Sequence, residues 1–116
     1  MTSHPSLSPE SISLAVDSLR PKLTAFLQEL VRSPSLPNRE GPVQAIIGAK
    51  LGSLGLEVET LTTRFDELAG HPAFDDDGFS LDSRVNVVAR WPGCGGASGR
   101  GSLLLNGHVD VVSPGD

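Results

Sequence analysis

Leu103-Leu104-Leu105-Asn106-Gly107-His108-Val109-Asp110-Val111-Val112 is an apolar run that delivers an imidazole and, two residues later, a carboxylate. Ser113-Pro114-Gly115-Asp116 then closes it with a turn. The three leucines do not alternate with polar residues, the pattern of a strand covered on both faces. The stretch therefore predicts a strand opened by Ser102 and leading to His108 at the rim of a sheet. In an extended segment residues i and i+2 share a face, so His108 and Asp110 are expected as neighbours.

Working back along the chain, Gly93 to Gly101 reads as a glycine-rich hairpin connection, and Val85 to Trp91 as a strand stopped by Pro92-Gly93. Residues 63–82 are polar and irregular, with room for a short helix at Phe65–Leu68. Leu56-Glu57-Val58-Glu59-Thr60-Leu61 alternates with period two, as a half-buried strand does. Before it, Val43, Ile46, Ile47, Leu51 and Leu54 mark an amphipathic helix that follows an Asn38-Arg39-Glu40-Gly41 turn and ends at Gly55 as a C-cap. A first helix is expected from Ser8, an N-cap with Pro9 and Glu10 behind it. Its apolar face is Ile12, Val16, Leu19, Leu23, Phe26 and Leu30, at steps of three and four. Pro21 falls inside this pattern and predicts a kink, or two helices in near register, while Pro34 and Pro37 end the run. Helix, helix, strand, strand, strand is an α/β pattern. Residues 1–8 read as a flexible leader and 9–116 as one incomplete domain.

The bulk properties narrow the function classes. The 116 residues are 38% hydrophobic with 13 glycines, enough for a packed core. A net charge of −5 and 4% aromatics leave no electrostatic footprint for nucleic acid or anionic lipid. The first twenty residues lack the basic and apolar regions of a secretory signal, and no stretch approaches a membrane span. Cys94 is the one cysteine, in the glycine loop, and reads as a bystander. A cytoplasmic protein is the expectation.

Most motifs fail on their spacing. A calcium loop aligned on Gly78 would place Ala73 at its first ligand position and Arg84 where the bidentate acid belongs, so Asp75-Asp76-Asp77 reads as a solvated acidic loop. The stretch 93–101 has neither the dinucleotide spacing nor the Gly-Lys-Ser/Thr ending of a phosphate loop. No serine sits in a Gly-x-Ser-x-Gly elbow. His71 reads as a surface histidine, Arg84 as a solvent-facing strand residue, and His4 as part of the leader. For His108 and Asp110 local chemistry leaves two readings open. They are a metal ligand with the carboxylate that orients it, or a strand-end histidine beside a turn aspartate.

The segment Leu104–Asp116 resembles the first signature of a zinc-dependent amidohydrolase and peptidase family that includes acetylornithine deacetylase, succinyl-diaminopimelate desuccinylase, aminoacylase and glutamate carboxypeptidase. Leu30-Val31-Arg32-Ser33-Pro34-Ser35, Leu51-Gly52-Ser53-Leu54-Gly55-Leu56-Glu57-Val58 and Arg84-Val85-Asn86-Val87-Val88-Ala89-Arg90 fit the same family in the same order, so the resemblance spans roughly residues 20–116. Val109 stands at a variable position of the signature, and Ser113 replaces a commonly seen proline.

The resemblance implies the N-terminal part of a zinc-peptidase-like catalytic domain, two helices followed by strands of a mixed sheet. It makes His108 a ligand of one of two metals and Asp110 the catalytic-site aspartate that orients and polarises it. The metal would be Zn2+, with Co2+ or Mn2+ able to fill similar sites. The implied reaction is amide hydrolysis, most of all deacylation of an N-acyl amino acid, with a dipeptidase or carboxypeptidase as the neighbouring alternative. A non-catalytic α/β binding module is the rival from another class. A bridging aspartate, a glutamate base with an adjacent glutamate ligand, a further acid and a late histidine would follow Asp116. So would a domain for lid contacts and homodimer formation, and the fragment alone is expected to be inactive.

Overall fold

The computed structural model describes residues 8–76, 78, 84–92 and 102–115, and shows α1 (Pro9–Arg32), α2 (Gly41–Ser53), β1 (Glu57–Thr62), α3 (Phe65–Leu68) and β2 (Val85–Arg90). The chain divides into two units, Met1–Arg32 and Ser33–Asp116. Helices followed by a two-stranded antiparallel sheet make this a small α/β arrangement. The expectations for His4, Asp77, Cys94 and the 93–101 connection, and for the leader apart from Ser8, lie outside the described residues.

In the first unit Ser8 caps α1 as its sequence demands. Its hydroxyl accepts the Ser11 N–H at 3.2 Å and its carbonyl the Ile12 N–H at 3.1 Å, and Pro9 has no N–H to satisfy. Hydrogen bonds from the Glu10 backbone and the Ser8 hydroxyl hold the Glu10 carboxyl below its ordinary range. The expected break at Pro21 does not occur, and one helix runs through it. Proline removes a single ladder bond, and helical turns continue on both sides of it. The turn just before is tied by Arg20 to Asp17 at 2.7 Å and by the Ser18 hydroxyl to the Ala15 carbonyl at 2.7 Å. None of the α1 residues is buried.

The second unit begins with a tight reversal. The Arg39 N–H donates to the Leu36 carbonyl at 2.8 Å, with Pro37 and then Asn38 (φ +67°) in the middle. This is a type II turn, whose third position requires positive φ and tolerates asparagine. Glu40 stands at the N-cap of α2, with Pro42 in the first turn. The far end closes as a Schellman motif. Gly55 (φ +83°) donates to the Gly52 carbonyl at 2.9 Å and Leu56 to the Leu51 carbonyl at 3.3 Å, so Gly55 is the expected C-cap glycine.

β1 and β2 pair from Glu57↔Arg90 to Thr62↔Val85, and α2 packs on both strands. Along β2 the half-buried residues are Val85, Val87 and Ala89, and Asn86, Val88 and Arg90 are exposed, so one face of β2 is covered. Every residue of β1 is exposed, so the strand its alternation predicts forms but is not half-buried. Gly48 lies on the contact: a Cβ there would stand 3.8 Å from Val87 and 3.9 Å from Val58. The helix does not present a single apolar stripe to the sheet. Val43 is buried, Ile46, Ile47 and Leu51 are half-buried, and Leu54 is exposed. A helix apolar on most sides does not encode which side will be covered, and small residues at the contact allow close approach.

α3 forms where the sequence left room for it. Arg64 grips Asp66 with two hydrogen bonds, 3.1 and 2.9 Å, and Phe65 meets Phe74 edge-on at 5.6 Å. The Arg64 guanidinium holds the Asp66 carboxyl below its usual range.

The strand expected from Ser102 to His108 is not formed. Leu103, Leu104 and Leu105 are 84–88% exposed. An apolar run becomes a strand only where a neighbour offers a ladder and a face to cover, and among the described residues the sheet ends with β1 and β2. Among the described residues its neighbouring backbone tie is instead the bond from the Val111 N–H to the Ser35 carbonyl at 3.0 Å.

Two glycine substitutions should act in opposite directions. Gly55→Ala forces a Cβ into left-handed backbone and should lower stability by about 1 kcal/mol. Gly48→Ala makes ordinary contacts with Val87 and gains helix propensity, so it should raise stability by roughly 0.5–1 kcal/mol. Urea denaturation midpoints measure both. Arg64→Ala should return the Asp66 pKa upward to the ordinary aspartate range, as read by carboxyl NMR titration. Because the folded pKa is depressed, this contact favours the folded state above the ordinary aspartate range and is lost as pH falls below it.

Candidate functional site

Asp110 Oδ1 lies 3.0 Å from His108 Nδ1. The two side chains meet, as their spacing predicts. A carboxylate has only acceptor sites, so in the neutral imidazole the proton shared with Asp110 belongs to Nδ1, and Nε2 carries the free lone pair. The His108 side chain is 83% exposed and that of Asp110 about half exposed, so Nε2 is open to an incoming group. At Gly107 an added Cβ would meet nothing within 4 Å, which leaves the approach to the pair unobstructed.

The pair lines an open cleft of about 410 Å³ together with Glu40, Gln44, Arg84 and Asn86. The start of α2, Thr63 after β1, Leu68 of α3, the start of β2 and the 107–110 segment converge on it. Glu40 is buried at 8% exposure, and its Oε1 stands 3.8 Å from Arg84 Nε. Ser35, whose carbonyl receives the Val111 N–H, is also buried.

These residues were not legible as site residues. Arg84, expected to face solvent, is only a quarter exposed and stands beside Glu40, just before β2. The one sequence signal for Glu40 is an acid at a helix start just before Gly-Pro, a position favoured by the helix dipole. Its partner 44 positions along the chain could not be read from that.

His71 is exposed as expected, and its Nδ1 accepts the Ala73 N–H at 3.1 Å, a local bond. Asp76 accepts the Gly78 N–H at 2.9 Å in an exposed turn. Among the described residues no three His, Cys, Asp or Glu side chains stand together as a metal-holding group. Nor is any described helix long and apolar enough to cross a membrane.

The chain is 33% identical over 96 residues to a succinyl-diaminopimelate desuccinylase of Methylobacterium nodulans, an alignment covering 83% of this chain and 20% of that protein. It therefore spans about a fifth of the length of the curated relative it matches. No family model and no solved structure matches the chain.

Asp110→Ala should shift the neutral His108 imidazole from the Nδ1–H tautomer toward Nε2–H. Long-range proton–nitrogen spectra at alkaline pH resolve the two forms, and an unchanged tautomer would remove Asp110 as the orienting group.

Proposed function

We propose that this chain supplies a histidine ligand, His108, and its orienting acid, Asp110, to a metal-dependent hydrolase that removes an acyl group from the nitrogen of an amino acid. The observation that carries the reading is the 3.0 Å contact that occupies Nδ1 and leaves Nε2 free at an open cleft. Metal-bound histidines usually give their second ring N–H to a carboxylate in this way. The similarity to a desuccinylase supports an amide as the scissile bond and a succinylated amino acid as the substrate class.

The donor chemistry fits a Zn2+ site in part. An imidazole nitrogen suits Zn2+, Co2+ or Mn2+, and His108 is the residue of this segment that would hold the ion. When bound, the ion would supply Lewis acidity toward the scissile carbonyl and toward water. Asp110 fixes the tautomer and ring orientation of His108. One imidazole does not make a metal site, so the other ligands and the proton-transferring acid would come from further parts of a longer protein. On this reading the 116 residues form the N-terminal portion of a catalytic domain and have no turnover by themselves.

Calorimetric titration with Zn2+ tests the assignment. The chain should bind weakly, His108→Ala should weaken binding at least about tenfold, and Asp110→Ala should weaken it by roughly tenfold through loss of orientation. Zn2+ affinity unchanged in His108→Ala overturns the reading. So does turnover of an N-succinyl amino acid by the isolated chain.

A further inference from the structure

The connector Ser35–Glu40 joins two observations that the hydrolase reading does not use. At one end the Ser35 carbonyl holds the Val111 N–H at 3.0 Å, the backbone tie that locates the segment bearing His108. At the other end Glu40 is buried against Arg84, and between them Leu36–Arg39 is a closed turn with Asn38 at φ +67°. Such a connector has little freedom. Proline and a hydrogen bond set the turn, and two buried residues mark its ends.

Energetically the Glu40–Arg84 pair is a poor stabiliser. Its separation is 3.8 Å, and Glu40 Oε2 is buried with no hydrogen-bond partner among the described residues, as is Asn38 Oδ1. Buried charges are costly to desolvate, and an incompletely satisfied pair recovers little of that cost. What the pair does supply is a fixed point, because it ties the start of α2 to the start of β2 in the wall of the cleft that His108 and Asp110 line.

We propose that Glu40, paired with Arg84, is a positioning residue for His108 and Asp110, acting through the Ser35–Glu40 connector and the Ser35–Val111 hydrogen bond. The geometric role stands on the structure of this unit, and its consequence for metal binding rests on the hydrolase reading above. With the clamp in place, the Ser35 carbonyl is presented at a constant position and the 107–111 segment keeps its approach to the cleft. Without it, the turn can swing about its ends and the segment loses its anchor.

Amide hydrogen exchange measured by NMR on the full 116-residue chain tests this. In Glu40→Ala the protection of the Val111 N–H should fall roughly tenfold, the size expected for losing about one hydrogen bond. The Leu56 N–H, bonded within the Schellman motif of α2, should change less than about twofold. Glu40→Gln carries the same comparison if the alanine variant does not fold. Unchanged Val111 protection, or parallel loss at Val111 and Leu56, overturns the proposal. Zn2+ titration of the same variants separates it from the functional reading. Selective Val111 loss with Zn2+ affinity insensitive to His108→Ala would retain the clamp and remove the hydrolase.

Discussion

A two-stranded ribbon is at best marginally stable in water, so the second unit depends on α2 lying across β1 and β2. Gly48 faces that contact, where an added Cβ would stand 3.8 Å from Val87 and 3.9 Å from Val58. Burial follows the contact. Val85, Val87 and Ala89 are half-buried on the covered face, while Val88 and Arg90 on the other face stay exposed. Once the helix is seated, its N-terminal residue Glu40 and the residue that opens β2, Arg84, are brought together.

This seating builds the cleft. The type II turn at Leu36–Arg39 reverses the chain into α2, and Ser35, just before it, offers its carbonyl to Val111. The 107–110 segment is thus attached to the helix–sheet layer through the connector and not through a ladder. The apolar side chains Leu103–Leu105 remain in solvent, and burying them would be worth several kcal/mol if a covering surface were present.

The His108–Asp110 contact owes its geometry to close covalent spacing, since an exposed hydrogen bond contributes little net energy. Its chemical value is orientation. An imidazole with one nitrogen occupied by a carboxylate presents the other in a defined direction, whereas a free ring would divide its time between tautomers and rotamers.

Local signals in the sequence determined most of the elements. Ser8-Pro9, Gly55, the alternation before Leu61 and the valines after Arg84 each act within a few residues, through capping, left-handed backbone or period-two patterning, so they could be read without knowing the fold. The adjacency of His108 and Asp110 belongs to the same class. Tertiary structure decided what depends on distant partners. The face of α2 that meets the sheet was set by its packing on both strands, whereas the continuity of α1 through Pro21 rests on its own neighbouring turns. Leu103–Leu105 show the same dependence from the other side, since hydrophobicity favours burial but cannot supply a neighbouring strand. Glu40 and Arg84 are 44 residues apart, and only the packing of α2 on β2 turned a helix-start acid and a strand-start base into one buried pair.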